Sequence, residues 1–278
     1  MGSPARKGST GSLVGRTVFV AVVCAAMLFP LYCMVIVALT PKDELFSGGT
    51  HLWPDRFTLA NFRDLFDKFP IMQWFTNSVM IATITTALSV TVNLLAGYAF
   101  AKLRFPGRTA LFLVVLSTLM VPAQAIMIPQ FQTVSSFGLV GTFWAVIIPS
   151  ASTAFGIFLA RQFFLSIPDE LLDAAKVDGA GPVKIFLRIV LPLCKPLVAV
   201  MVLLAFMTQW NDFLWPLITL RDAQLYTLPV SMRFLQGQYD ANYGGLMAMA
   251  LMTCLPLVIM FLLLQRYFVQ GLARTGIK

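Results

Sequence analysis

One ionisable side chain stands inside an apolar run of this 278-residue chain: Asp212, in Trp210-Asn211-Asp212-Phe213-Leu214-Trp215-Pro216. A carboxylate near a membrane centre costs about 2.5–3.5 kcal/mol on insertion scales, so such groups face a bundle interior or a watery path. Asn211 and Asp212 are therefore candidates for lining a path through the membrane or meeting a partner subunit. The alternative reading is a helix-packing carboxylate bonded to a neighbour. A proton relay would need a second ionisable group inside the membrane, and the apolar runs supply none. The single histidine, His51, sits beside Trp53-Pro54 and reads as an interfacial loop residue, since a metal site or His-based acid–base pair needs more groups. No phosphate-binding G-x-x-x-x-G-K-[ST] loop occurs. The fourteen Met are scattered through apolar stretches as packing filler. No catalytic constellation and no cofactor site is expected in this chain.

The elements that must hold Asp212 follow from composition. Hydrophobic residues make up 58% of the chain, charged residues 12%, and mean hydropathy is +0.82. Soluble domains carry about 25% charged residues, so an integral membrane protein is the expectation. Six apolar runs fall at 17–40, 74–101, 110–131, 142–160, 197–219 and 245–264. Each approaches the ~20 residues a helix needs to cross a bilayer core, and Asp212 is the only charge in any of them. An all-α integral membrane fold of six transmembrane helices is predicted, because peptide groups in lipid must be satisfied internally. The first run is too long for a signal-peptide core.

The net charge of +8 resolves into sidedness. Of the 20 Lys and Arg, 14 fall in 1–16, 102–109, 161–196 and 265–278, and six in 41–73, 132–141 and 220–244. The first set is therefore cytoplasmic, with both termini inside, and no nucleic-acid partner is implied. The chain divides into a cytoplasmic N-terminus (1–16), a six-helix domain (17–264) and a cytoplasmic tail (265–278). None of the cysteines (Cys24, Cys33, Cys194, Cys254) lies in an outside loop, which argues against an extracellular disulfide.

The longest inside connection, 161–196, carries the most information. Pro168 suits a helix first turn, and Asp169 and Glu170 complement its positive end. Leu171, Ala174, Ala175 and Asp178 share one face at i, i+3, i+4 and i+7. Gly179 stands where a C-cap requires positive φ. Pro182 opens a second helix whose Val183, Phe186, Leu187 and Val190 repeat that spacing, and Leu191-Pro192 is expected to stop it. Two short amphipathic helices at a Gly turn form a docking element, or else an interfacial segment lying on lipid. Outside, 220–244 carries Tyr226, Tyr239 and Tyr243, either as a binding face or as an ordinary polar loop.

At these residues the chain resembles the permeases of ABC importers. Asp173-Ala174-Ala175, Asp178-Gly179-Ala180 and Ile189-x-Leu191-Pro192 match the EAA loop of that family. Trp210-Asn211-Asp212-Phe213 and Gln265-Arg266-Tyr267-Phe268-Val269-Gln270-Gly271-Leu272 are similar to its carbohydrate-uptake branch, in particular the second permease of the maltose type. Asp173 stands where the pattern has Glu. The resemblance implies a type I permease fold in a bacterial or archaeal plasma (inner) membrane, coupled through Glu170, Asp173, Ala174, Ala175, Asp178 and Gly179. It further implies a second permease subunit, two ATPase subunits that bind ATP and Mg, and an external solute-binding protein delivering a sugar or sugar derivative. Tyr226, Tyr239 and Tyr243 would face that binding protein. A secondary transporter or an accessory subunit without ATPase coupling is the alternative.

Overall fold

The computed structural model describes residues 10–45, 52–238 and 243–275, so His51, Tyr239 and both extreme termini lie outside the described residues. In chain order the helices are α1 (Thr10–Leu39), α2 (Lys42–Leu45), α3 (Ala60–Lys68), α4 (Ile71–Lys102), α5 (Arg108–Ser117), α6 (Ala123–Ser136), α7 (Trp144–Ile147) and α8 (Ala154–Leu165). There follow α9 (Asp169–Val177), α10 (Pro182–Ile185), α11 (Leu191–Leu193), α12 (Lys195–Trp210), α13 (Leu214–Thr219), α14 (Leu228–Gln238) and α15 (Tyr243–Thr275). No strand occurs among the described residues. The helices divide into two compact units, Met1–Phe69 with Leu235–Cys254, and Pro70–Phe234 with Leu255–Lys278.

In the first unit, α1 is exposed along nearly its whole length, as suits a helix facing lipid. Its end is tied to α3: Asn61 Nδ2 donates to the Ala38 and Thr40 carbonyls at 2.9 Å each. Gly244, at the start of α15, lies so close to Asn61 that a Cβ there would stand 2.6 Å from Asn61 Nδ2.

The second unit is built around α4, whose buried side lies on α8 and α12. Gly97 and Ala160 let α4 and α8 approach closely, the small-residue contact by which helices associate without a strong hydrophobic drive in lipid. Tyr98, Phe164 and Phe186 form an aromatic cluster, with ring centroids 5.7 Å apart for Tyr98–Phe164 and 5.0 Å for Tyr98–Phe186.

The six apolar runs expected as transmembrane helices are not all continuous helices. Three helices, Val14–Leu39, Ile71–Lys102 and Tyr243–Gln265, are continuous and long enough to cross a membrane. The other three runs are broken. Within 110–131 the chain turns by 107° at Val121-Pro122, where the proline lacks an N–H and holds Val121 extended. Within 142–160 helix is lost between Ile147 and Ala154, around Pro149. Within 197–219 it is lost at Asn211–Phe213. The first and last helices extend beyond the apolar runs, α1 beginning at Thr10 and α15 continuing to Thr275.

Candidate functional site

Two sites emerge in the second unit, one at the α9 end of α4 and one between α4, α8 and α12. The first is the helix pair of the 161–196 connection. Asp169 and Glu170 occupy the first turn of α9 and Lys176 its last, in keeping with the helix dipole. The chain then turns at Gly179, φ +76°, a left-handed conformation that costs glycine least. Pro182 opens α10. Leu191-Pro192 does not stop the second helix as expected: the helix widens over Phe186–Val190, where the Leu191 N–H reaches the Phe186 carbonyl, and it runs on to Leu193. This π-type turn lets Pro192 remain within the helix, and the break falls at Cys194, with an 81° bend into α12.

The face assignment also changes. Leu172 and Ala175 are buried in the core formed by α4, α8 and α12, together with Ile185, Phe186 and Val190. Leu171, Ala174, Val177, Val183 and Leu187 are exposed, as are Glu170, Asp173, Asp178 and Gly179. Ala175 thus serves the chain's own packing. Ala174, its neighbour, points out. Asp173 pairs with Lys176 at 2.7 Å on the same exposed helix face.

Lys102, at the end of α4, fixes where α9 begins. Its side chain is only 6% exposed, and Nζ donates at 2.6 Å to both the Ile167 carbonyl and Asp169 Oδ1. The Lys102 hydrogen bond, and then its charge, hold the Asp169 carboxyl below the usual carboxylate range. Arg161 braces the same end: its Nε donates to the Phe100 carbonyl at 3.2 Å and its guanidinium lies 4.1 Å from the Phe112 ring centre.

The second site is a cleft of about 370 Å³. Thr85, Ser89 and Asn93, four residues apart on α4, supply one polar wall. Asn93 is also a staple. Its Oδ1 accepts from Ser152 Oγ and the Thr153 N–H at 3.1 Å each, and its Nδ2 donates to Ser89 Oγ at 3.1 Å. Thr153 caps α8 by accepting from the Gly156 N–H at 3.1 Å. Gly156 has to be small, because a Cβ there would stand 2.2 Å from Asn93 Nδ2. On the opposite wall, the break after α12 presents Asp212 to the cleft while Asn211 folds back on Met207 O at 2.8 Å. Of the two residues read together from sequence, only Asp212 lines the cleft.

At the other end of α4, Trp74, Asn77 and Ser78 pin the segment after α13. Trp74 Nε1 donates to the Ala223 carbonyl at 2.7 Å, Asn77 Nδ2 to the Gln224 and Tyr226 carbonyls at 2.8 and 3.1 Å, and the Leu228 N–H to Ser78 Oγ at 2.7 Å. These bonds hold Ala223–Leu228 against α4 and lead into α14. Tyr226 is half-buried against Phe234, and Tyr243 is exposed at the start of α15.

The class of this helical architecture is decided by its sequence family. Residues 89–274 match the family described as binding-protein-dependent transport system inner membrane component. The chain belongs to this family of permeases. The permease is 39% identical over 265 residues to the arabinooligosaccharides transport system permease protein AraQ of Halalkalibacterium halodurans, covering 94% of this chain and 95% of that one. It is 33% identical over 255 residues to the sn-glycerol-3-phosphate transport system permease protein UgpE of Pectobacterium atrosepticum, covering 89% and 91%. Among solved structures, its fold matches a chain of a bacterial ABC transporter involved in import of the acidic polysaccharide alginate. That match has a TM-score of 0.85 and 22% identity, over 96% of the permease and 100% of that chain. A structure of the bacterial alginate ABC transporter in complex with an alginate pentasaccharide-bound periplasmic protein matches at a TM-score of 0.60 and 16% identity, over 91% and 92%. At these identities the structural likeness carries the fold alone.

Proposed function

We propose that this permease subunit passes a sugar or sugar derivative, delivered by an external solute-binding protein, and is driven by partner ATPases seated on its α9–α10 pair. The relatives named for arabinooligosaccharides and sn-glycerol-3-phosphate support the cargo class. The observation that carries the coupling role is the two-sided character of the helix pair. Its inner face, Leu172, Ala175, Ile185 and Phe186, is locked into the α4–α8–α12 core, while Leu171, Ala174, Val177 and Val183 remain outside beside Glu170, Asp173 and Asp178. A partner pressing on the outer face would move α4 and α12 as a rigid body, because their contacts are packed and bistable elements shift as wholes. In this reading a second permease completes the path, ATP and Mg bind the ATPases, both termini are cytoplasmic, and Tyr226, Tyr239 and Tyr243 lie on the solute-binding-protein side. Asn211 and Asp212 belong to the path or to the seam with the second permease.

Gly179→Val and Asp173→Lys test the reading. The first forces a β-branched residue into positive φ, at a cost of roughly 1–3 kcal/mol, with nothing within 4 Å of the added Cβ to confound it. The second reverses an exposed charge. At equal membrane levels of permease, both should reduce ATPase pull-down or uncouple hydrolysis from uptake. Normal pull-down and uptake in both would leave the helix pair without a coupling role.

A further inference from the structure

The cleft between α4, α8 and α12 has a charge character as well as a shape. Its polar groups come from three separate segments: Thr85, Ser89 and Asn93 on α4, the Ser150–Thr153 break, and Thr208, Gln209 and Asp212 at the end of α12. No Lys or Arg lines it, and Asp212 is its one charged residue. Two of its buried polar atoms, Thr85 Oγ1 and Gln209 Nε2, have no hydrogen-bond partner among the described residues. Groups so buried are costly unless a ligand or water answers them. One is a hydroxyl and the other an amide donor, and a sugar hydroxyl, which both donates and accepts, can answer each. The ring of Phe155, half exposed at the rim, offers an apolar face to the C–H side of a sugar ring.

We infer that this cleft is a subsite for an uncharged glycosyl unit and that Asp212 selects against anionic cargo such as uronates or phosphate esters. The inference rests on the transport reading above and narrows its substrate class. A carboxylate in a low-dielectric cleft repels an entering anion without any nearby cation to offset it, which translates into discrimination of about tenfold or more.

The test uses the assembled importer in nanodiscs, with Cys24, Cys33 and Cys254 replaced by Ser and one thiol introduced by Thr208→Cys. Thr208 is exposed in the cleft, four residues before Asp212 in the chain, and the buried Cys194 is measured as background in the parent. The rates of modification by a cationic and an anionic methanethiosulfonate of similar size, each divided by that reagent's rate with a free thiol in solution, are compared with and without arabinotriose or trigalacturonate. We expect the cationic reagent to react about tenfold faster, arabinotriose to protect, and trigalacturonate to protect far less. Asp212→Asn should bring the two reagents towards equal rates and let trigalacturonate protect. Equal rates with Asp212 present would overturn the charge filter, and absence of protection by arabinotriose would overturn the glycosyl subsite. Neither readout requires the Asp212 variant to fold. If ATPase pull-down and uptake remain coupled while the cleft shows neither property, the subsite fails alone and the transport reading stands.

Discussion

Lys102 shows how one residue can place an element. Its ammonium is buried and satisfied by a carbonyl and a carboxylate, so Lys102→Met would strip both of their shared donor, and the loss at the carbonyl of buried Ile167 should cost about 1–3 kcal/mol. The ion pair itself contributes less, since Asp169 is three-quarters exposed and screened by solvent. The sign of its pH dependence is fixed by direction: the folded Asp169 carboxyl lies below its ordinary value near 3.9. Its stabilisation is therefore present above about pH 4 and is lost as pH falls through the folded value. A fluorophore attached through Val177→Cys, at an 88% exposed position, should tumble faster below about pH 4 in the otherwise native permease. In the Lys102→Met background it should already be mobile at pH 7 and change little on acidification. Equal anisotropy in the two backgrounds at pH 7 would remove Lys102 from the positioning of α9. In the sequence Lys102 reads only as one more inside charge, because its partners lie 65 and 67 residues away.

The α4–α8 pairing is the element on which both sites depend, since α8 leads directly into the helix pair and Asn93 holds its start. At Gly97 a Cβ would stand 2.5 Å from Ala160 Cβ and 2.9 Å from the Arg161 backbone nitrogen. Gly97→Val should therefore push the helices apart, with an overpacking cost of about 1–3 kcal/mol. Thermal unfolding of the detergent-solubilised permease should report a lower midpoint. Ala160→Gly should rescue Gly97→Ala only in part, because it clears the side-chain clash but not the backbone one. Full rescue would mean that the Arg161 backbone yields easily and the contact is not a fixed register. Hydropathy cannot reveal this contact, since Gly and Ala count as mildly apolar wherever they stand. The same averaging conceals the Thr85, Ser89 and Asn93 stripe, although its four-residue spacing on one helix face is plain once α4 is known to be continuous.

For the whole molecule, α4 sets the scale. Its 32 residues span about 48 Å at 1.5 Å per residue, longer than a bilayer core of about 30 Å. Lys102 and the helix pair lie at one end, and Trp74, Asn77, Ser78 and the segment they pin lie at the other. In the topology proposed from the 14-to-6 division of basic residues, the helix pair would lie inside. A thiol introduced by Gln224→Cys should react with an impermeant maleimide in intact cells, whereas one introduced by Val177→Cys should react only after permeabilisation. Both positions are exposed, so unequal burial would not mimic the result. Labelling of both from the same side would overturn the topology.

Length, apolar runs and charge bias belong to the sequence alone, because lipid solvation and insertion read composition over windows of about 20 residues. So do the Gly179 turn and the Pro182 helix start, since φ preference is a property of the residue itself. Tertiary structure decided the continuity of the helices. A broken span is tolerable only where neighbours satisfy the freed backbone, as Asn93 does for the Thr153 N–H from 60 residues away. It also decided that Ala175 faces inward and Ala174 outward, because two adjacent alanines differ only in what lies against them. The cleft is the fullest case: Asp212 stood out as a charge in an apolar run, but beyond its neighbours Thr208 and Gln209 its polar companions come from two distant segments, on α4 and at Ser150–Thr153, that only the folding of α4, α8 and α12 brings together.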